Sequence, residues 1–322
     1  MPTRSRPYAS LSLDLDDKWS YLKTRGDASW SEHPSYLATV VPRALEFLER
    51  RGLRITWFIV GQDAAFERNH ALLRGIAAAG HEIGNHSFHH EPWLHLYDEA
   101  RLDDEIGRAE AAIASATGVV PRGFRGPGYS VTPAVVDTLV RRGYAYDAST
   151  LPTFVGPLAR AYYFATSGLR GAERKQRDAL FGSVRDGLRP LRPYRWASPH
   201  GALVEVPVTT LPGLRVPIHF SYVLFLAQLA PALVMPYVET ALRACLLTRT
   251  APSLLLHPLD FLDGADAPEL AFFPAMRLRA EDKLRWLERV LDRYAARYEF
   301  VTVGEHAARA EAALPRTARA LA

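Results

Sequence analysis

A (β/α) barrel of parallel strands is the fold that this 322-residue sequence predicts. Three observations carry the expectation. Short aliphatic, β-branched runs alternate with stretches of helical periodicity, the pattern of parallel strands joined by helices. Residues able to bind metals or move protons recur just after those runs, where a parallel barrel keeps its functional groups. The length allows one large domain with its own core.

The first run, 9–15, is apolar up to Asp14. Between it and the second, 55–60, lies a helix marked by Leu37, Val40, Val41, Ala44, Leu45 and Leu48 at helical spacing, with Gly52 as its stop signal. Further strands are expected at 82–85, 123–125, 145–147, 203–206, 253–256 and 300–303. Helices are expected near 64–79, 98–116, 132–142 and 280–297. The whole of 1–322 reads as a single domain, with 156–250 as an insertion or lid within it.

Composition narrows the class. The single cysteine, Cys245, lies in an apolar stretch and excludes a disulfide framework. The first residues, Met1 to Pro7, hold no apolar segment of signal-peptide type, so a cytoplasmic location is the expectation. The inserted segment is unlike the rest. Between 156 and 200 stand nine basic residues (Arg160, Arg170, Arg174, Lys175, Arg177, Arg185, Arg189, Arg192, Arg195) and three acidic ones (Glu173, Asp178, Asp186). That surplus of six exceeds the +4 of the whole chain, so the basicity is local. Tyr162, Tyr163, Phe164, Leu169, Leu180, Phe181 and Leu188 are interleaved with it. Residues 216–238 then carry no formal charge, with His counted neutral, but Pro217, Pro231 and Pro236 interrupt them. A buried helix is the plain reading and a membrane-apposed lid the sharper one; a spanning helix is not expected. No nucleic-acid-binding motif accompanies the charge, which excludes that partner.

Five short segments carry the chemistry. Asp14-Leu15-Asp16-Asp17 closes the first strand. Asp16 and Asp17 are adjacent in an extended chain, so their carboxylates point to opposite sides and one can meet a metal while the other meets a substrate. A helix cap is the competing role for either. His86 and His90 are four apart, a spacing that puts two imidazoles on one face of a helical turn and suits zinc and similar ions. His81 and His89 are close by, and spacing alone leaves His89 open as a ligand. Arg125 precedes Gly126-Pro127-Gly128-Tyr129, and an arginine at a strand end can hold a carboxylate. Asp147 ends the fifth strand. His257 ends a wholly apolar one and precedes Pro258.

In this order the segments resemble the polysaccharide deacetylase family, also called carbohydrate esterase family four or the NodB-homology family. Asp14-Leu15-Asp16-Asp17 is similar to its first motif, Thr-Phe-Asp-Asp. His86-Ser87-Phe88-His89-His90 matches His-Ser/Thr-x-x-His. Arg125-Gly126-Pro127 matches Arg-x-Pro-Tyr up to Gly128, which stands where the family has Tyr. Leu254-Leu255-Leu256-His257 matches Leu-x-x-His, and 300–303 resembles the closing strand; the family's barrel is irregular and incomplete, so the resemblance implies a distorted (β/α) TIM-like barrel. Asp147 is the candidate for the fourth motif, without its usual Trp.

The resemblance implies one divalent metal ion, with zinc expected, held by Asp17, His86 and His90. It implies Asp16 as general base tuned by Arg125, His257 as general acid, and a backbone N–H near Gly128 and Tyr129 for the oxyanion, with Asp147 on the substrate side. The implied activity is hydrolytic removal of an N-acyl group, acetyl above all, from an amino sugar. The basic and apolar insertion adds the expectation of a lipid- or phosphate-linked substrate and of peripheral contact with the inner membrane face through 156–250. An amidase or deformylase acting on a non-sugar substrate and a non-catalytic binding protein are the other readings.

Overall fold

The structure is a computed structural model that describes residues 6–156, 158, 161, 164, 169, 171–177, 184–315 and 317–320. The expectations placed on Arg160, Tyr162, Tyr163, Arg170, Asp178, Leu180 and Phe181 lie outside the described residues.

One sheet organises the chain. Its strands are β1 (Tyr8–Leu15), β2 (Thr56–Ile59), β3 (Glu82–Asn85), β4 (Gly123–Phe124), β5 (Tyr146–Asp147), β6 (Tyr194–Ser198), β7 (Gly201–Glu205), β8 (Ser253–Leu256) and β9 (Glu299–Val301). The order is β6-β7-β5-β4-β3-β2-β1-β8, and β9 also pairs with β1. Every pairing is parallel except that of β6 with β7. Hydrogen bonds do not close the sheet into a complete ring among the described residues, so the barrel is distorted, as expected. Helices Leu37–Arg50, His70–Ala78, Glu99–Thr117, Pro133–Arg141 and Ala280–Ala295 occupy the anticipated connections.

β1 is the hub, pairing with β2 and β9 along one edge and β8 along the other. Its pleat sorts the side chains with period two. Ala9, Leu11, Leu13 and Leu15 join the large apolar core with Leu37, Val40, Val41, Ala44 and Leu48 of the first long helix. Ser10, Ser12 and Asp14 take the other face, also buried, where they meet polar partners: Ser10 Oγ lies 2.8 Å from His306 Nδ1, and Ser12 and Asp14 both accept from Arg125. The even face of β1 therefore leads up to the site.

The 156–250 segment is more than a lid, because it supplies β6 and β7, and β7 continues the sheet from β5. Its basic residues are partly consumed. Arg177 is buried and donates from Nε to the Thr24 carbonyl (2.9 Å) and from Nη2 to that of Lys23 (3.0 Å), capping the end of helix Lys18–Arg25. Arg189 pairs with Asp186 at 2.8 Å and Arg195 with Glu311 at 2.9 Å. Arg174, Lys175, Arg185 and Arg192 are exposed. The uncharged stretch forms two helices, Phe220–Leu229 and Pro231–Leu247. Among the described residues no helix is long and apolar enough to cross a membrane. Phe220, Val223, Leu224, Val234, Val238 and Leu242 face the core, while Phe225, Leu229 and Leu233 stay exposed.

Candidate active site

The end of β1 fixes the first two groups. Extended backbone alternates sides, so Asp16 continues the even face of Ser10, Ser12 and Asp14, while Asp17 turns to the opposite side. Asp17 then N-caps helix Lys18–Arg25: its Oδ1 accepts from Lys18 N–H at 2.7 Å and from Tyr36 N–H at 2.9 Å. Burial pushes its carboxyl up to about 6, against hydrogen bonds from Ser35, Tyr36 and Lys18.

The histidines come from the turn after β3. Ser87 (φ 62°) and His90 (φ 51°) both adopt left-handed backbone, which a non-glycine residue holds only when its surroundings enforce it. Two side chains do so. Asn85 Oδ1 accepts from Ser87 N–H at 2.8 Å. Glu105, buried on helix Glu99–Thr117, accepts from Phe88 N–H (2.9 Å) and His89 N–H (2.6 Å), and its other oxygen meets His89 Nδ1 at 2.6 Å. His89 Nδ1 is thereby engaged by Glu105, and among the described residues His89 is not one of the side chains that converge on Asp16.

Asp16, His86 and His90 converge, with donor atoms all within 4.8 Å of one another. His86 Nε2 lies 3.2 Å and His90 Nε2 3.0 Å from Asp16 Oδ1. The tautomer of His86 follows from its other nitrogen, which is 2.6 Å from the Arg125 carbonyl. A carbonyl only accepts, so Nδ1 carries a proton, and in the neutral ring it is the Nε2 lone pair that faces the carboxylate; burial opposes a second proton, but Asp14 and Asp16 raise the imidazole above its ordinary value. Asp16 Oδ1 is buried without a hydrogen-bond partner among the described residues. Two imidazole nitrogens and a carboxylate oxygen pointed at one another need a cation between them, either a metal ion or the proton of an imidazolium donating to Asp16. The chemistry of this donor set fits a divalent ion. Burial disfavours the Asp16 anion, but His90 and His86 prevail and hold its carboxyl well below the usual range.

Two expectations are therefore corrected. The carboxylate that meets the histidines is Asp16, and Asp17 is a helix cap. Arg125 does not touch Asp16 but pairs with Asp14, Nη1 to Oδ1 at 2.6 Å. That guanidinium is fully buried; it also donates to Ser12 Oγ and to the Ala148 carbonyl, both at 2.9 Å, and lies 4.3 Å from the Phe58 ring. Asp14 Oδ2 is 4.0 Å from His86 Nε2, so Asp14 borders the cluster without joining it. The alternation of Leu11, Leu13 and Leu15 was the signal: odd residues pack on helices, so the even ones, Asp14 and Asp16, share the interior.

His257 lines the same cavity. Its Nδ1 is 3.2 Å from Ser221 Oγ, which donates to Asp260 Oδ1 at 2.9 Å; Asp260 Oδ2 accepts from the His257 amide at 2.8 Å. Because Ser221 spends its proton on Asp260, it accepts from His257 Nδ1–H, which leaves Nε2 as the ring atom free for chemistry. Ser221 and Asp260 were missed in the sequence, since neither belongs to a recognisable motif.

Gly128 and Tyr129 line the cavity, both in left-handed conformation (φ 59° and 62°). Gly128 adopts this freely, whereas Tyr129 holds it only because its surroundings enforce it. The amide of Tyr129 is committed to the Gly126 carbonyl at 3.0 Å, so the expected oxyanion contact does not fall on it. Asp147 is corrected as well. It is fully buried, does not line the cavity, and accepts from Ser149 Oγ, which in turn accepts from Gly126 N–H at 2.7 Å. Burial raises its carboxyl despite hydrogen bonds with Glu205 and Ser149, and its role is to brace the Arg125–Gly128 turn from below.

These groups share a cavity of about 430 Å³. Asp14, Asp16, His86, His90 and His257 form its polar floor, and Tyr222, Phe225, Phe272, Phe273, Pro274 and Ala275 its apolar outer wall.

Residues 12–146 match the polysaccharide deacetylase family model. Among curated relatives, a peptidoglycan deacetylase-like protein of Gibberella zeae is 33% identical over 168 residues, 50% of this chain and 47% of that protein. The peptidoglycan deacetylase of Helicobacter pylori is 27% identical over 111 residues, 34% of this chain and 37% of its own length. A chitooligosaccharide deacetylase of Bradyrhizobium is 33% identical over 105 residues, 32% and 47% respectively. The chain thus spans less than half the length of these relatives. A solved structure from Mycobacterium smegmatis, provisionally named a polysaccharide deacetylase, is similar in fold over 99% of this chain and 96% of its own, with a TM-score of 0.64 and 20% identity.

Proposed function

We propose that the protein is a metal-dependent hydrolase that removes the N-acetyl group of an acetylated amino sugar. One observation carries the reading: the convergent Asp16, His86 and His90 share a cavity with an Arg125-held Asp14 and with His257. The deacetylase names of the relatives support it.

Asp16, His86 and His90 would hold the divalent ion, zinc by its donor set, which when bound supplies Lewis acidity toward the acyl carbonyl and eases deprotonation of water. The chain's own groups do the rest. Asp14, kept in place by Arg125, takes the proton of the attacking water as the new C–O bond forms. His257, its Nδ1–H held by Ser221, delivers a proton from Nε2 to the amine nitrogen as the C–N bond breaks. Arg125 fixes both the Asp14 carboxylate and, through its carbonyl, the tautomer of His86.

The apolar outer wall supports a narrower substrate, an amino sugar carried on a hydrophobic or lipid-phosphate group. A soluble polymer would leave Phe225, Phe272 and Phe273 in contact with water or sugar hydroxyls. The exposed Leu229 and Leu233 extend that wall, and exposed Arg174, Lys175, Arg185 and Arg192 suit an anionic lipid face, hence a peripheral location at the inner membrane surface. The test is acetate release from N-acetylglucosamine, free and on a lipid-phosphate carrier. Release is expected from both, with kcat/KM higher on the carrier by about tenfold for every two methylenes buried. Binding to anionic vesicles should weaken with salt, exposed charges being screened within about 10 Å at 0.1 M, and should weaken again in Arg174→Glu/Lys175→Glu. Arg177 is left out because it caps a helix. No acetate from either substrate overturns the activity; equal kcat/KM on both overturns the carrier.

A further inference from the structure

Three cavity-lining side chains hold a buried polar atom with no hydrogen-bond partner among the described residues: Asp16 Oδ1, His90 Nδ1 and His219 Nδ1. The first two belong to the Asp16–His86–His90 cluster. His219 belongs to nothing described so far. It is 6% exposed and lies beyond the reach of the family model, which ends at Tyr146. Leaving such a nitrogen unpaired in a buried site is unfavourable, so its position calls for a partner.

Its setting is built. His219 occupies the N-cap of helix Phe220–Leu229, where Ser, Thr, Asp or Asn would ordinarily bond the helix amides, yet its side chain makes no cap bond. The ring is instead held edge-on against Tyr222 at 4.5 Å and against His257 at 5.7 Å between centroids.

We propose that His219 is a substrate-binding residue, taking a hydroxyl of the amino sugar close to the scissile amide. The proposal rests on the deacetylase reading above. Its chemistry follows from charge. Burial, then the neighbouring His257 and Arg125, hold the imidazole well below its usual pKa, so it is neutral. A neutral imidazole offers one donor and one acceptor, the complement of a hydroxyl. A carboxylate or phosphate would meet no charge on it. Three hydroxyls at the cavity are already engaged. Ser221 is committed to Asp260 and His257, Ser20 to the Asp17 carbonyl and Thr153 to the Arg215 carbonyl. The His219–His257 spacing brings the proton donor for the amine and the hydroxyl-binding group to neighbouring substituents of one sugar ring.

The test uses acetate release from N-acetylglucosamine and its single-deoxy analogues. His219→Phe keeps the ring packing and removes both nitrogens. It should lower kcat/KM on the parent sugar by about 10- to 100-fold, mostly through KM, with metal content and Tm unchanged. On one deoxy analogue the loss should shrink below about twofold, because the partner is already gone. His219→Asn should recover part of the activity. A His219→Phe variant that equals wild type, or is impaired equally on every analogue, overturns the proposal while leaving the functional reading intact. An inactive wild type overturns both.

Discussion

Asp16→Asn is expected to lose its divalent ion and about 10³-fold in turnover, whereas Asp17→Asn keeps the ion and most of the activity. The two residues are adjacent, and motif alignment alone favours Asp17 as the ligand, so the pair separates geometry from resemblance. Asn at 16 removes the anion toward which both Nε2 atoms point, leaving two neutral imidazoles to hold a doubly charged ion. Asn at 17 retains a side-chain oxygen to accept from Lys18 N–H and Tyr36 N–H, so the cap survives. It also removes a buried carboxyl already raised to about 6, so stability above that pH should fall little. The sign follows from the direction of the shift: a raised carboxyl favours the folded state less once pH passes from the unfolded value to about 6 and the group ionises in both states. Metal content after gel filtration, measured beside Tm, decides the matter. A metal-free Asp17→Asn with a metal-loaded Asp16→Asn would reverse the assignment.

Asp14→Asn is expected to keep the ion and the fold but to lower kcat by about 10²–10⁴, the range for removal of a general base. Here the stability cost needs separating from the catalytic one. Arg125 is fully buried, and Asp14 is its carboxylate partner at 2.6 Å. Removing one member of a buried pair outright costs about 3–5 kcal/mol because the other charge is left uncompensated. Asn still offers an oxygen to Nη1, so the loss of Tm should be smaller than for Asp14→Ala, while the loss of kcat should be similar in both. Turnover near wild type in a folded, metal-loaded Asp14→Asn would remove Asp14 from the mechanism and leave the Arg125 pair as a structural bond.

Much of this was legible in the chain. The strand–helix alternation, the placing of chemistry after strands and the partnership of His86 with His90 all follow from local pattern. β6 was not legible, because Tyr194–Ser198 is a short antiparallel strand flanked by Pro193 and Pro199, and it forms only by pairing with β7. Helix Lys18–Arg25 was hidden too, its apolar stripe being little more than Trp19 and Leu22. In the site, motif resemblance points to Asp17 as the ligand, whereas the pleat points to Asp16, since Leu11, Leu13 and Leu15 already say which face is interior. Glu105, Ser221, Asp260 and His219 act through contacts 17 to 39 residues away in sequence, and no spacing announces them. The apolar stretch 216–238 became two packed helices because Pro231 starts a new helix after Ala230 leaves helical geometry (φ −152°, ψ 71°).

The central claim is that Asp16, His86 and His90 hold a cation on which acetyl removal depends. Its most direct measurement is acetate release from an N-acetylated amino sugar by the wild-type protein before chelation, after exhaustive chelation, and after return of one equivalent of zinc. The account predicts release, then loss to background with the fold retained, then recovery, and no recovery in His90→Ala at the same zinc level. Acetate release that survives complete removal of divalent ions would contradict it.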